Sequence, residues 1–294
     1  MTAVGTVYDR GYRPYEGPRG GRRAAIGALY RSTLRRALGF RRSWRQKFIP
    51  WLLLGIVSIP AAVNVGIAYV TRDSPIRDFH IIGYRQYVGV SSALLLFVAL
   101  VAPDVVCPDR RQRVLSLIFA RPLSGPDYAV AKLGAIGTLL VAFSLLPQML
   151  LYIGNMLVDK NGALNYLTGH ADVLWKVPIA VVLLALYYAS LGLAISSLTS
   201  RRVVAGASIL GLILIASSVA GILSGDNGVN AASGAINLLA IPLYVRDLVF
   251  LGHLAPVFPL ARSGAASVLA LTGYVTVVGA SLATLWWRYR WSEA

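Results

Sequence analysis

The chain has 294 residues, of which 56% are hydrophobic and only 14% charged, with a formal net charge of +16. A water-soluble domain of this length carries more charge and shorter apolar runs, so the composition excludes an ordinary soluble enzyme and points to a membrane protein. The single cysteine, Cys107, excludes an intramolecular disulfide and any multi-cysteine metal site.

Residues 1–23 are rich in Gly, Arg and Pro and read as an irregular tail. From 24 to 47, Ile26, Tyr30, Leu34, Leu38 and Trp44 fall near one helical face, with Arg31, Arg35, Arg36, Arg42 and Arg45 on the other. That pattern predicts an amphipathic helix in the membrane interface, its arginines toward anionic lipid. A solvated basic flank that only sets topology is the plainer alternative.

Six windows contain no Asp, Glu, Lys or Arg: 48–71, 86–103, 133–158, 177–200, 203–225 and 263–287. About 20 helical residues cross a hydrocarbon core of roughly 30 Å, and a helix satisfies its own backbone hydrogen bonds there. The windows therefore predict an all-α polytopic membrane protein. Its six spans, within 48–287, are Phe48–Val70, Tyr87–Val106, Ala129–Val158, Lys176–Leu198, Val203–Leu223 and Ser263–Trp287. Pro60 is expected to kink the first, which also serves as insertion signal because it is too long for a cleavable one. The third exceeds what a bilayer requires and is expected to tilt or protrude. Residues 288–294 form a second tail.

Of the 28 Lys and Arg, 21 lie in 1–47, 107–132, 201–202 and 288–290, and 7 in the alternate segments. The positive-inside rule then places both termini in the cytoplasm. These arginines flank spans and do not line a folded domain, which argues against a nucleic-acid partner.

The inner segment 107–128 holds most of the information. Val114, Leu117 and Ile118 share a helical side and follow Arg110, Arg111 and Arg113; the run stops at Pro122, which cannot continue a helix. Ser124 precedes Asp127 by three residues, a capping pattern that starts the third span. Residues 224–262 carry two weak apolar pieces around Arg246 and Asp247. They read either as short re-entrant segments from the outer side or as an outer loop.

Polar groups inside the spans are few. Asn64, Gln148 and Asn155 either line a path or bond between helices. Asp104, at the inner end of span two, is expected to pair with Arg110 or Arg111, and the spans otherwise show no charge pairs. "LSGPD" (123–127) opens like an ATPase signature but departs from it at Pro126 and Asp127, and no phosphate-cradling G-x-x-x-x-G-K-[ST] occurs. His80, His170 and His253 fall in three different outer segments, so no metal site built from them is expected.

The inner segment resembles the cytoplasmic segment between spans two and three of ABC-2-type transporter permeases, a run ending in "TL…LL…P[IL]S" with a later lysine. Here the corresponding residues are Val114, Leu115, Ile118, Pro122, Leu123, Ser124 and Lys132. The six spans, the basic helix before the first, the region before the last and the early "YDRGYRPYEG" are similar to that family's layout as well. The chain departs from it at Asp109 and "RVL", where members commonly carry a glutamate and Gly-Thr.

The resemblance implies a permease subunit of a bacterial cytoplasmic-membrane exporter, paired with a second permease chain, the same or different. Separate ATPase subunits, holding ATP and Mg2+, would dock on Arg110, Arg111, Arg113, Leu117, Phe119, Pro122 and Asp127. No cofactor is expected on this chain, and a hydrophobic or amphipathic cargo suits the apolar spans. Two other classes compete. One is a membrane enzyme for lipid-linked substrates, using Asp73 with Asp78 or Asp172 with His170; the other is a non-transporting accessory subunit.

Overall fold

The computed structural model describes residues 20–39, 44–71, 83–88, 91–120, 122–160, 162–224 and 231–290. The tail expected over 1–23, the outer residues Arg72, Asp73, Arg77, Asp78 and His80, and 291–294 fall wholly or largely outside them. Every regular element among the described residues is helical, and six helices are long and apolar enough to cross a membrane. The protein is an all-α polytopic membrane protein.

In chain order the elements are α1 (Arg22–Ala37), α2 (Trp44–Val70), α3 (Tyr84–Val88), α4 (Ser91–Arg111), α5 (Leu115–Phe119), α6 (Gly125–Val158), α7 (Ala163–Gly169), α8 (Val173–Leu198), α9 (Arg202–Ser224), α10 (Ile241–Leu251) and α11 (Ala266–Arg290). The expected helix over 24–47 is not continuous. It ends at Ala37, where Gly39 takes a φ of 75° that suits glycine and turns the chain, and Trp44 opens α2 instead.

α4 and α8 form the centre of the bundle. In their apolar windows 73% and 72% of residues are buried, against 11% in α2 and 22% in α9. α8 achieves this with small side chains: a Cβ at Gly192 would stand 2.2 Å from Val98 Cγ1 of α4, so glycine permits the crossing. A second close approach joins α4 to α9. Pro103 has no N–H to give the Ala99 carbonyl, and a Cβ at Gly206 would lie 2.7 Å from that same oxygen.

α6 has 34 residues, about 50 Å at 1.5 Å per residue, and so overreaches a hydrocarbon core of roughly 30 Å as its length predicted. Its excess lies partly at the end where α1, the α4–α6 connection, the α8–α9 turn and the end of α11 meet. This is the basic end of the bundle.

At the far end, residues 231–262 fold as two 3-10 turns (Ala231–Ile236, Pro259–Arg262) around α10. Tyr187 Oη donates to the Leu238 carbonyl at 2.8 Å, and Leu239 N–H donates to Ser217 Oγ at 3.3 Å. Ser217 lies seven residues inside α9 from its end at Ser224, about 10 Å along the axis. The described part of 224–262 therefore dips between α8, α9 and α11 and does not sit above them. Asp247, fully buried, is its anchor: Arg246 donates to it twice at 2.9 and 2.6 Å, and Arg85 of α3 pairs with it at 3.2 Å.

Candidate functional site

The basic end is organised around one carboxylate. Asp109, in the last turn of α4, is 2% exposed and receives three donors. Arg36 Nη1 of α1 reaches its Oδ1 at 2.5 Å; Lys132 Nζ and Tyr128 Oη of α6 reach Oδ2 at 2.7 and 2.9 Å. Lys132 Nζ also donates to the Val105 carbonyl at 3.0 Å. Buried ions are costly unless paired and bonded in this way. The two cations and one anion leave one net positive charge.

Tyr128 passes this arrangement to its neighbours. The Tyr289 ring of α11 packs on it at 4.9 Å between centroids, and Phe119 of α5 meets it edge-on at 6.2 Å. One buried ring thus touches the inner loop, the C-terminal helix and the Asp109 cluster.

A second tie stands just outside. Ser124 caps α6 as its spacing predicted, accepting from Asp127 N–H at 3.4 Å while its own N–H donates to Asp127 Oδ2 at 3.0 Å. Arg22 of α1 grips the same carboxylate with Nε and Nη2 at 2.7 and 2.9 Å. The carboxylate in turn pushes the Arg22 guanidinium up from its ordinary value, chiefly through the hydrogen bond. Between α1 and the inner loop lies a cavity of about 500 Å³, lined among others by Leu29, Thr33, Arg36, Asp109, Leu117 and Ile118.

Several expected positions are corrected. The short helix before Pro122 is confined to Leu115–Phe119: α4 carries Arg110 and Arg111 in its own last turn, and Arg113 takes a φ of 52° between the two. Within that turn Leu117 is 70% exposed, while Val114, Leu115, Ile118 and Phe119 face the protein. Of the seven docking candidates, Arg111, Arg113, Leu117 and Pro122 are exposed. Arg110 donates to the Ser197 carbonyl, Phe119 packs on Tyr128, and Asp127 is taken by its cap and by Arg22. Arg31 and Arg35 are exposed as a lipid-facing role requires, but Arg36 turns inward to Asp109.

Asp104 pairs with Arg202 of α9 at 3.2 Å, not with Arg110 or Arg111, because α9 crosses α4 beside it. Asp109, just beyond the expected end of span two, pairs with Lys132 near the start of span three. Asn64, Gln148 and Asn155 are all buried. Gln148 Nε2 donates to the Tyr84 carbonyl at 3.4 Å and Asn155 Nδ2 to Tyr84 Oη at 3.1 Å, so these two hold α3 against α6.

Of the carboxylates considered for catalysis, Asp172 is bonded by Lys176 at 2.9 Å, which holds it below its ordinary value. Asp73 and Asp78 lie outside the described residues. His170 stacks on Tyr166 at 4.2 Å, and His253 Nδ1 lies 3.1 Å from the Leu251 carbonyl.

Nothing in the local sequence marks Arg22, Tyr128 or Tyr289 as members of this site. Asp109 stands out there only as a departure from the pattern that the inner segment resembles, and Lys132 only as a match to it. The available signal was that Asp109 and Asp127 are the only acids in a strongly basic segment. No protein-family model matches the chain, and no curated protein matches it at a significant level.

Proposed function

We propose that this protein is the permease subunit of an ATP-binding cassette exporter of a bacterial cytoplasmic membrane. Its basic end faces the cytoplasm and docks a separate ATPase subunit, which holds ATP and Mg2+; a second permease chain completes the path. The observation that carries the reading is the Tyr128–Asp109 assembly. A partner pressing on the exposed Leu117 turn would act through Phe119 on Tyr128, which is part of α6 and touches both α4 and α11. ATP can bias the spans only if the two conformations differ in their contacts with the ATPase, and a rigid multi-helix junction transmits such a difference. A hydrophobic or amphipathic cargo fits the apolar outer faces of α2 and α9.

The test is purification of tagged chain from native membranes in mild detergent, with co-purifying subunits identified and counted and ATP hydrolysis assayed. An ATPase at one copy per permease, lost in Leu117→Asp while the spans stay folded, supports the proposal. A chain that purifies alone, with no nucleotide dependence, overturns it.

A further inference from the structure

A lateral cleft of about 570 Å³ opens between α4 and α9, beneath the end of α1. Leu96 and Leu100 of α4 and Leu210 of α9 line its deep part, Ala99, Gly206 and Ala207 hollow its floor, and Arg36, Asp104 and Arg202 stand at its basic end. From Leu96 to Asp104, and again from Arg202 to Leu210, is eight residues, about 12 Å of helix. One leaflet of a bilayer has roughly 15 Å of hydrocarbon, half the core thickness. The cleft thus has the depth of a single leaflet, apolar along its length and charged only at the interface.

We propose that this cleft seats one anionic phospholipid, its acyl chain along the α4–α9 groove and its phosphate at Arg202. Charge selects the occupant. Arg202 spends one nitrogen on Asp104 at 3.2 Å, its side chain stays 57% exposed, and Arg201 beside it is exposed too. Arg36, which also lines the cleft, belongs to the Asp109 cluster that already carries net positive charge. A zwitterionic headgroup would bring its own cation to this surface. A second copy of the chain meeting this face about a twofold axis would bring the same arginines against themselves. The exposed Leu96 and Leu100 belong to a span helix, where lipid is the surrounding solvent. The proposal stands apart from the transporter reading.

The experiment is native mass spectrometry of the full chain in its purified assembly, titrated with phosphatidylglycerol or phosphatidylcholine of identical chains. Phosphatidylglycerol is expected to remain bound after phosphatidylcholine is stripped. Arg202→Gln is expected to weaken the phosphatidylglycerol complex by about fivefold, as for one basic residue at an anionic surface. Ala207→Trp, which fills the groove from an exposed position on α9, is expected to exclude the tightly bound lipid altogether. Equal binding of both lipids, or wild-type retention of phosphatidylglycerol by both variants, overturns the proposal. So does displacement by glycerol 3-phosphate alone, which would mark a soluble-anion site, or an Ala207→Cys cross-link between two chains, which would place a second copy in the cleft.

Discussion

Arg36 of α1 and Asp109 of α4, separated by 73 residues, meet at 2.5 Å around a carboxylate that is 3% exposed. The contact makes the N-terminal helix part of the bundle. Arg31 and Arg35 of the same helix remain outside, so α1 divides its arginines between a buried partner and the exposed surface. Lys132 on the other Asp109 oxygen completes the joint between α1, α4 and α6.

Asp109→Leu should be among the most damaging substitutions, because it leaves Lys132 buried beside an apolar side chain. Removal of one partner of a buried pair costs about 3–5 kcal/mol, whereas replacing both by apolar groups is often neutral. The double variant Asp109→Leu/Lys132→Met should therefore recover most of the loss. Denaturant titration in detergent measures both. A single variant no less stable than the wild type would mean that the cluster contributes nothing to the fold.

At the start of α6, Ser124→Ala should cost about 1 kcal/mol, the usual value of an N-cap side chain. The effect should be local, because the Ser124–Asp127 box closes only the first turn. Hydrogen exchange is expected to rise at residues 125–128 and to stay unchanged past Lys132. A uniform rise along the helix would contradict a capping role.

Gly192→Ala places a methyl where Val98 Cγ1 stands 2.2 Å away. Overpacking of a tight contact costs about 1–3 kcal/mol, and Val98→Ala in the same chain should relieve it. The coupling between the two substitutions, read from thermal melts of the four variants, is expected to be favourable. Additive losses would show that α4 and α8 do not meet there.

The far end should be as sensitive as the basic end. Asp247→Ala strands Arg246, whose side chain is 8% exposed, beside Arg85 with no carboxylate between them. A loss of about 3–5 kcal/mol is expected, with cross-linking between 231–251 and α8 falling in parallel. Arg246→Leu/Asp247→Leu should be milder. If Asp247→Ala leaves both melting and cross-linking intact, the dipping segment is held by its apolar contacts alone.

How much of this was legible beforehand follows the range of each interaction. The six spans, the over-long α6, the Ser124–Asp127 cap and the stop at Pro122 are local features, set within a few residues or by a run without charge, and the structure carries each. The break after Ala37 is signalled in the sequence by Gly39 alone, against an apolar periodicity that runs on toward Trp44. In the inner loop, the spacing of Val114, Leu117 and Ile118 foretells that they line one cavity, but how far α1 covers each of them, leaving Leu117 70% exposed, is set by packing between distant segments.

What the amino-acid order alone determined, then, is the number of spans, their approximate limits and the clustering of positive charge at one end, because hydrophobic burial and backbone satisfaction act run by run along the chain. What only the tertiary structure decided is which charge meets which. Arg22 with Asp127, Arg36 with Asp109 and Arg202 with Asp104 lie 105, 73 and 98 residues apart. A helical wheel shows that an arginine is on a polar face; helix packing decides whether that face meets lipid headgroups or a carboxylate on another helix.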